Sequence, residues 1–152
     1  MAYWLMKSEP GAFSVDDLQA AERRTTGWDG VRNYQVRNMM RDEMRRGDLA
    51  FFYHSSCPQP GIAGIVEIVH EGYPDPTAFD PKDKHFDPKS DPAKPRWYQV
   101  DVRLKRKLKR IIMLDELRAE PALDGMQLLR RGNRLSITPV SQTEWDTIVG
   151  LE

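Results

Sequence analysis

Two apolar runs, Leu49 to His54 and Ile62 to Val69, are joined by Ser55-Ser56-Cys57-Pro58-Gln59-Pro60-Gly61 and constrain this chain more than any other feature. Branched and aromatic side chains favour extended backbone, and a Pro, Ser and Gly connector reverses it, so the runs are expected to pair as an antiparallel hairpin. Three further strands are read around that hairpin. Ala2 to Lys7 carries Tyr3, Trp4 and Leu5, is stopped by Glu9-Pro10-Gly11, and reads as central. Trp97 to Leu104 alternates Tyr98, Val100, Val102 and Leu104 with Gln99, Asp101 and Arg103, the pattern of a half-buried strand. Leu135 to Val140 holds Pro139, which belongs on an edge or at a bulge.

Helices are short. Ser14 and Asp17 stand at capping-box spacing before Val15, Leu18 and Ala21, and Ser141 and Glu144 repeat the spacing before Trp145, Ile148 and Val149. From about Asn33 to Arg46, Val36, Met39, Met40 and Met44 share one face and Arg37, Arg41 and Arg45 the other, ending at Gly47-Asp48. Ile111 to Leu117 starts a helical stretch, and Pro121 opens another that holds Leu123, Met126, Leu128 and Leu129 and closes at Gly132. Tyr73 to Arg96 contains Pro74, Pro76, Pro81, Pro88, Pro92 and Pro95, so no element of normal length fits there; a loop that long in a compact domain tends to be functional or mobile. Strands and short helices without regular alternation predict an α+β fold: a curled, mainly antiparallel sheet or small β-barrel flanked by short helices. A doubly wound dinucleotide-binding scaffold is excluded.

The 152 residues fit one domain over residues 1–150, with Leu151 and Glu152 reading as a possible cloning remnant. With 39% hydrophobic and 30% charged residues and no apolar run of membrane-spanning length, the chain reads as soluble, with no membrane partner. The first residues lack a basic stretch followed by an apolar run, so no signal peptide is visible, and a cytoplasmic protein is expected, nuclear in a eukaryote. The single cysteine, Cys57, forms no internal disulfide and builds no thiolate zinc site, in keeping with a reducing compartment.

Net charge is zero, 23 basic against 23 acidic residues, so any nucleic-acid binding must be local. Arg103, Lys105, Arg106, Lys107, Lys109 and Arg110 cluster without an acid among them, which fits a solvated strand end and turn as well as a phosphate-facing patch. Catalytic constellations are scarce. Gly61-Ile62-Ala63-Gly64 matches no phosphate-binding fingerprint, and His54 and Cys57 sit in turn sequence rather than in a nucleophile pair. His54, His70 and His85 share no metal-ligand spacing, so neither metal nor cofactor is expected. Trp4 and Trp145 read as core. Trp28, between glycines in the polar loop Thr25 to Gly30, either folds back over the sheet or offers a stacking face to a planar ligand.

Longer stretches carry more information. Tyr3-Trp4-Leu5-Met6-Lys7-Ser8-Glu9-Pro10, Trp28-Asp29-Gly30-Val31-Arg32-Asn33-Tyr34-Gln35, Phe51-Phe52-Tyr53-His54-Ser55, Tyr73-Pro74-Asp75, Asp87-Pro88-Lys89-Ser90, Pro95-Arg96-Trp97 and Leu128-Leu129-Arg130-Arg131-Gly132-Asn133-Arg134-Leu135-Ser136 follow in order along nearly the whole chain, and together they resemble the EVE domain family. The resemblance implies a PUA-like barrel, related to the YTH domains that read methylated adenine in RNA, with a pocket for a modified base in DNA or RNA. By position it implies that Lys7, Ser8 and Glu9 line the pocket, Trp28 forms a cage wall, Arg32, Asn33 and Tyr34 continue the site, and Tyr53, His54 and Ser55 face them. Trp97 is one candidate for the second cage aromatic.

A flipped base needs a stacking surface and hydrogen-bonding groups at its edge. Arg37, Arg41, Arg103, Lys105, Lys107 and Lys109 are expected to hold phosphates outside the pocket. The leading expectation is therefore a non-enzymatic binding module whose partner is nucleic acid carrying a modified base. Two rivals stand beside it: an enzyme acting on a nucleobase or nucleotide-like molecule, with His54 or Glu9 as general base, and a protein-interaction module using the long loop. Nothing in the sequence specifies an oligomeric state.

Overall fold

A computed structural model describes residues 1–152. Six strands, β1 (Tyr3–Ser8), β2 (Thr25–Gly27), β3 (Leu49–His54), β4 (Gly61–Pro74), β5 (Tyr98–Met113) and β6 (Ile137–Val140), form one sheet in the order β2-β5-β4-β3-β1-β6. Every pairing is antiparallel except β1 with β3, which sets Ser8 opposite His54. The hairpin, the interior position of β1 and the edge position of Pro139 in β6 agree with the sequence. Four helices, α1 (Val15–Ala20), α2 (Tyr34–Asn38), α3 (Leu114–Ala119) and α4 (Gln142–Leu151), pack around the sheet. None is long and apolar enough to cross a membrane.

Both faces of the sheet are covered, which explains why Leu49 to Tyr53 is apolar throughout rather than alternating. Trp4, Met6, Ala50 and Phe52 face one core with Leu18, Val36, Met40 and Met44; Leu5, Phe51, Tyr53 and Ile112 face the other with Leu117, Trp145 and Ile148. Trp145 stacks on Phe51 at 4.0 Å and on Tyr3 at 4.5 Å, as its place on the core face of α4 requires. Ile137 on β6 and Trp28 next to β2 share the first core, so the sheet curls around it. The two end strands do not pair with each other, and the barrel stays open at that seam.

Three local outcomes differ from the expectations set by the sequence. The basic cluster is not a turn: β5 runs on through it to Met113, so Ile111 to Met113 are strand and the helix starts only at Leu114. The helix from Tyr34 is α only to Asn38, and Met39–Glu43 widen into a π turn in which the Met44 N–H donates to the Met39 carbonyl. The proline-rich loop has a regular local logic: Asp75, Asp80, Asp87 and Asp91 each precede a proline and accept the N–H two residues on, from Thr77, Lys82, Lys89 and Ala93, at 2.8–3.0 Å. Proline fixes φ and the carboxylate replaces a backbone acceptor, so the segment is a chain of Asx turns. At the C-terminal end, Leu151 closes α4 and the Glu152 carboxylate takes Arg106 and the Lys109 N–H.

Candidate nucleic-acid interface

The open seam of the barrel is a cleft of about 950 Å³. Lys7 and Ser8 at the end of β1, with Ser136 before β6, form one side; Thr26 and Gly27 of β2, with Trp28, form the other. Residues 29–33 and 82–85 close the ends. Of the residues assigned to a pocket from the sequence, the cleft gathers Lys7, Ser8, Glu9, Trp28, Arg32 and Asn33. It also takes Asp29, Lys82, Lys84 and His85, which sequence reasoning did not pick out. The proline-rich loop was the signal that could have found the last three, although nothing within it marked which end folds over the sheet.

Trp28 resolves its two readings in a mixed way. Its backbone N–H donates to the Val100 carbonyl at 2.8 Å, its ring meets Phe52 edge-on at 5.5 Å, and only 8% of the residue is exposed. The indole is thus fixed by the core, with its remaining surface on the cleft. Gly30, at φ +78°, sits where any Cβ would collide with the His85 ring, and its N–H donates to Asp75 at 2.8 Å. Asp75 is fully buried and accepts from Thr77 and Arg32 as well. Burial pushes its carboxyl up, but the hydrogen bonds from Thr77, Gly30 and Arg32 outweigh that and hold it below the usual carboxylate range.

Several of the expected ligand-binding groups are engaged elsewhere. Arg32 binds Asp75, Thr77 and the His85 carbonyl, so it clamps the loop to the cleft wall rather than facing a ligand phosphate. The Ser8 hydroxyl donates to the Phe13 carbonyl at 2.6 Å, and the Asn33 oxygen caps α2 by accepting the Val36 N–H, leaving the Asn33 NH2 free. His54 and Tyr53 are corrected. The Val15 N–H donates to His54 Nε2 at 3.1 Å and burial lowers the imidazole pKa, so His54 supports α1, and it does not line the cleft. Tyr53 points into the second core, and Ser55 serves through its N–H, which donates to the Ser8 carbonyl. Tyr34 and Trp97 lie outside the cleft, stacked on each other at 4.8 Å, with Arg37 over Tyr34 and Arg32 over Trp97.

The residues expected to hold phosphates fare similarly. Arg37 donates to the Arg96 carbonyl, Arg41 pairs with Asp42, Arg103 with Glu67 and Lys107 with Asp16. The strand alternation of β5 points Arg103 and Lys107 at carboxylates on β4 and α1. Lys105 and Lys109 keep unpaired ammonium groups, but neither lines the cleft, nor does any other residue of 103–110. The cations at the cleft are Lys7, Lys82 and Lys84, none of them ion-paired, beside the clamped Arg32. Burial lowers the Lys7 pKa. Asp29 at the rim has its carboxyl pushed up by burial and by the nearby Asp75 and Asp83 charges, with His85 opposing.

The small open-seamed barrel, with Trp28 at the wall of its cleft and a mixed-charge rim, has a specific lineage. The EVE domain family profile matches residues 2–151, and the chain belongs to that family. Thymocyte nuclear protein 1 of Rattus norvegicus is 49% identical, covering 99% of this chain and 73% of that protein. A Pseudomonas syringae structure superposes with TM-score 0.93 at 47% identity, over 99% of both chains. Human THYN1, solved in complex with DNA containing 5-methylcytosine, superposes with TM-score 0.92 at 46% identity, over 99% of this chain and 97% of that one.

Proposed function

We propose that the seam cleft takes a modified base everted from DNA, 5-methylcytosine being the first candidate. The observation that carries this is the rigid Trp28 indole at the wall of a cleft large enough for a nucleobase, in a chain 46% identical to human THYN1, which was solved with 5-methylcytosine DNA. Base–aromatic stacking needs a flat surface already in place, and the core packing of Trp28 supplies it without an ordering cost. Cytosine presents an N4 amino donor, which carboxylates accept; Glu9 and Asp29 at the rim are the acceptors to hand. The free NH2 of Asn33 suits a base acceptor. Lys7, Lys82 and Lys84 give the mouth the positive charge that a phosphate backbone seeks.

Such a domain binds without chemistry of its own, and it acts where DNA is: the nucleus in a eukaryote, the cytoplasm otherwise. The test is a fluorescence titration of duplexes that differ only in one 5-methylcytosine, repeated with matched RNA, at several salt concentrations. Tighter binding of the modified DNA is expected, and equal binding of modified and unmodified strands would refute the reading.

A further inference from the structure

Beside the seam cleft lies a second depression of about 540 Å³, and the two share Lys7. Its polar lining is Lys7, Tyr53, Arg118, Arg130, Arg131 and Asn133; no aspartate or glutamate lines it. None of its four cations makes an ion pair or a side-chain hydrogen bond. On β5, by contrast, four of the six basic residues of 103–110 are matched by Glu67, Glu152, Asp16 and Glu116. Arg118 and Arg130 also line the next hollow, together with Glu120 and Asp124, but neither acid comes within ion-pairing distance of a cation.

Arg118 stands on α3, and Arg130 and Arg131 are presented by a built loop. Leu128 is buried in the second core, Gly132 turns the chain at φ +80°, and Asn133 locks the turn by donating to the Gln127 carbonyl and accepting the Leu135 N–H at 2.9 Å. The Ser136 carbonyl then accepts the Lys7 N–H at 2.8 Å, which ties the loop to the strand end that forms the cleft. The hydrogen bonds of this loop thus fix its shape and leave the arginine heads unengaged. Guanidinium forks left free, clustered and unopposed by acids match phosphate oxygens, which they bind bidentately. Tyr53, whose ring packs in the second core, adds a neutral polar group to the lining.

We propose that this groove binds the backbone phosphates of the strand whose base enters the seam cleft, with Lys7 at the junction of the two sites. The assignment rests on the base-binding reading above. It places the phosphate track on Arg118, Arg130 and Arg131 rather than on the β5 cluster. A base held in the cleft keeps its own phosphates close to the mouth, and the groove is the adjoining acid-free surface.

The experiment compares wild type, the triple variant R118Q/R130Q/R131Q, each single variant, and R110Q, whose arginine is already paired with Glu116. Duplexes with and without one 5-methylcytosine are titrated from about 50 to 200 mM salt, with thermal melts as the folding control. Neutralising one phosphate-binding arginine should lower the slope of log affinity against log salt by roughly 0.9, so the triple variant should fall by up to about 2.7 units and R110Q should match wild type. Preference for the modified duplex should persist in the triple variant. An unchanged slope in the triple variant, or an equal fall in R110Q, overturns the groove. If the triple variant fails to fold, the single variants give the same decision at one third of the effect. Should wild type show no preference while the triple variant's slope falls, the groove stands and the base reading fails.

Discussion

Trp28, Asp29 and His54 show how little of a residue's role follows from its type. Trp28 belongs to the core and to the cleft at once, so its removal has two consequences. Trp28→Leu keeps apolar volume but deletes the stacking surface, and should weaken modified-DNA binding by about 1–3 kcal/mol while the thermal melt stays cooperative. Asp29 is expected to trade stability for recognition. Its raised pKa means that ionisation is disfavoured in the fold, so the native state binds more protons than the unfolded one just above the ordinary carboxyl range, and stability falls as pH rises there. Asp29→Asn should therefore raise the Tm at pH 7 and weaken binding of cytosine-containing DNA. His54 has the opposite sign. Its lowered pKa makes protonation costly to the fold, so stability is full above the unfolded value near 6.5 and is lost as pH drops toward the folded value. Melts of wild type and His54→Gln from neutral to mildly acidic pH should show a shallower loss in the variant.

At the scale of elements, legibility followed the range of the interactions that fix each one. The hairpin, β1, α1 and α4 were readable because their signals are local: both capping boxes form as spaced, Ser14 with Asp17 and Ser141 with Glu144. β2 has the sequence of a loop because a three-residue edge strand is made by its partner β5 rather than by its own residues. The second half of β5 has the sequence of a turn because its consecutive charges hide Leu108 and Ile112, whose burial is decided by the strand and helices packed against them. The cleft was half legible for the same reason. Lys7 to Glu9 and Trp28 lie in motifs, whereas Lys82, Lys84 and His85 arrive through the tertiary clamp of Arg32 on Asp75 and the His85 carbonyl. Arg32→Ala removes charged hydrogen bonds worth about 1.5–3 kcal/mol each in partly buried surroundings, and leaves Asp75 buried with less compensation. Limited proteolysis should then cut faster within residues 76–97, and amide exchange there should accelerate, while β3 and β4 keep their protection.

For the whole molecule, zero net charge is built from an uneven surface. Carboxylates pair with four of the six cations of the β5 run, and the cleft and the adjoining groove both hold cations with no ion pair. Affinity should accordingly be salt-sensitive despite a sequence pI of about 6.8, because the local potential rather than the total charge meets the DNA. On the proposed reading the sheet's open seam makes the receptor, since closing β2 onto β6 would abolish the cleft. A crystal structure of the chain bound to a duplex with a single 5-methylcytosine tests this most directly. The modified base should stand out of the duplex in the seam, its ring against Trp28 and its phosphates toward Lys7 and Arg130. A duplex that lies across the β5 cluster with its methylated base still paired would contradict it.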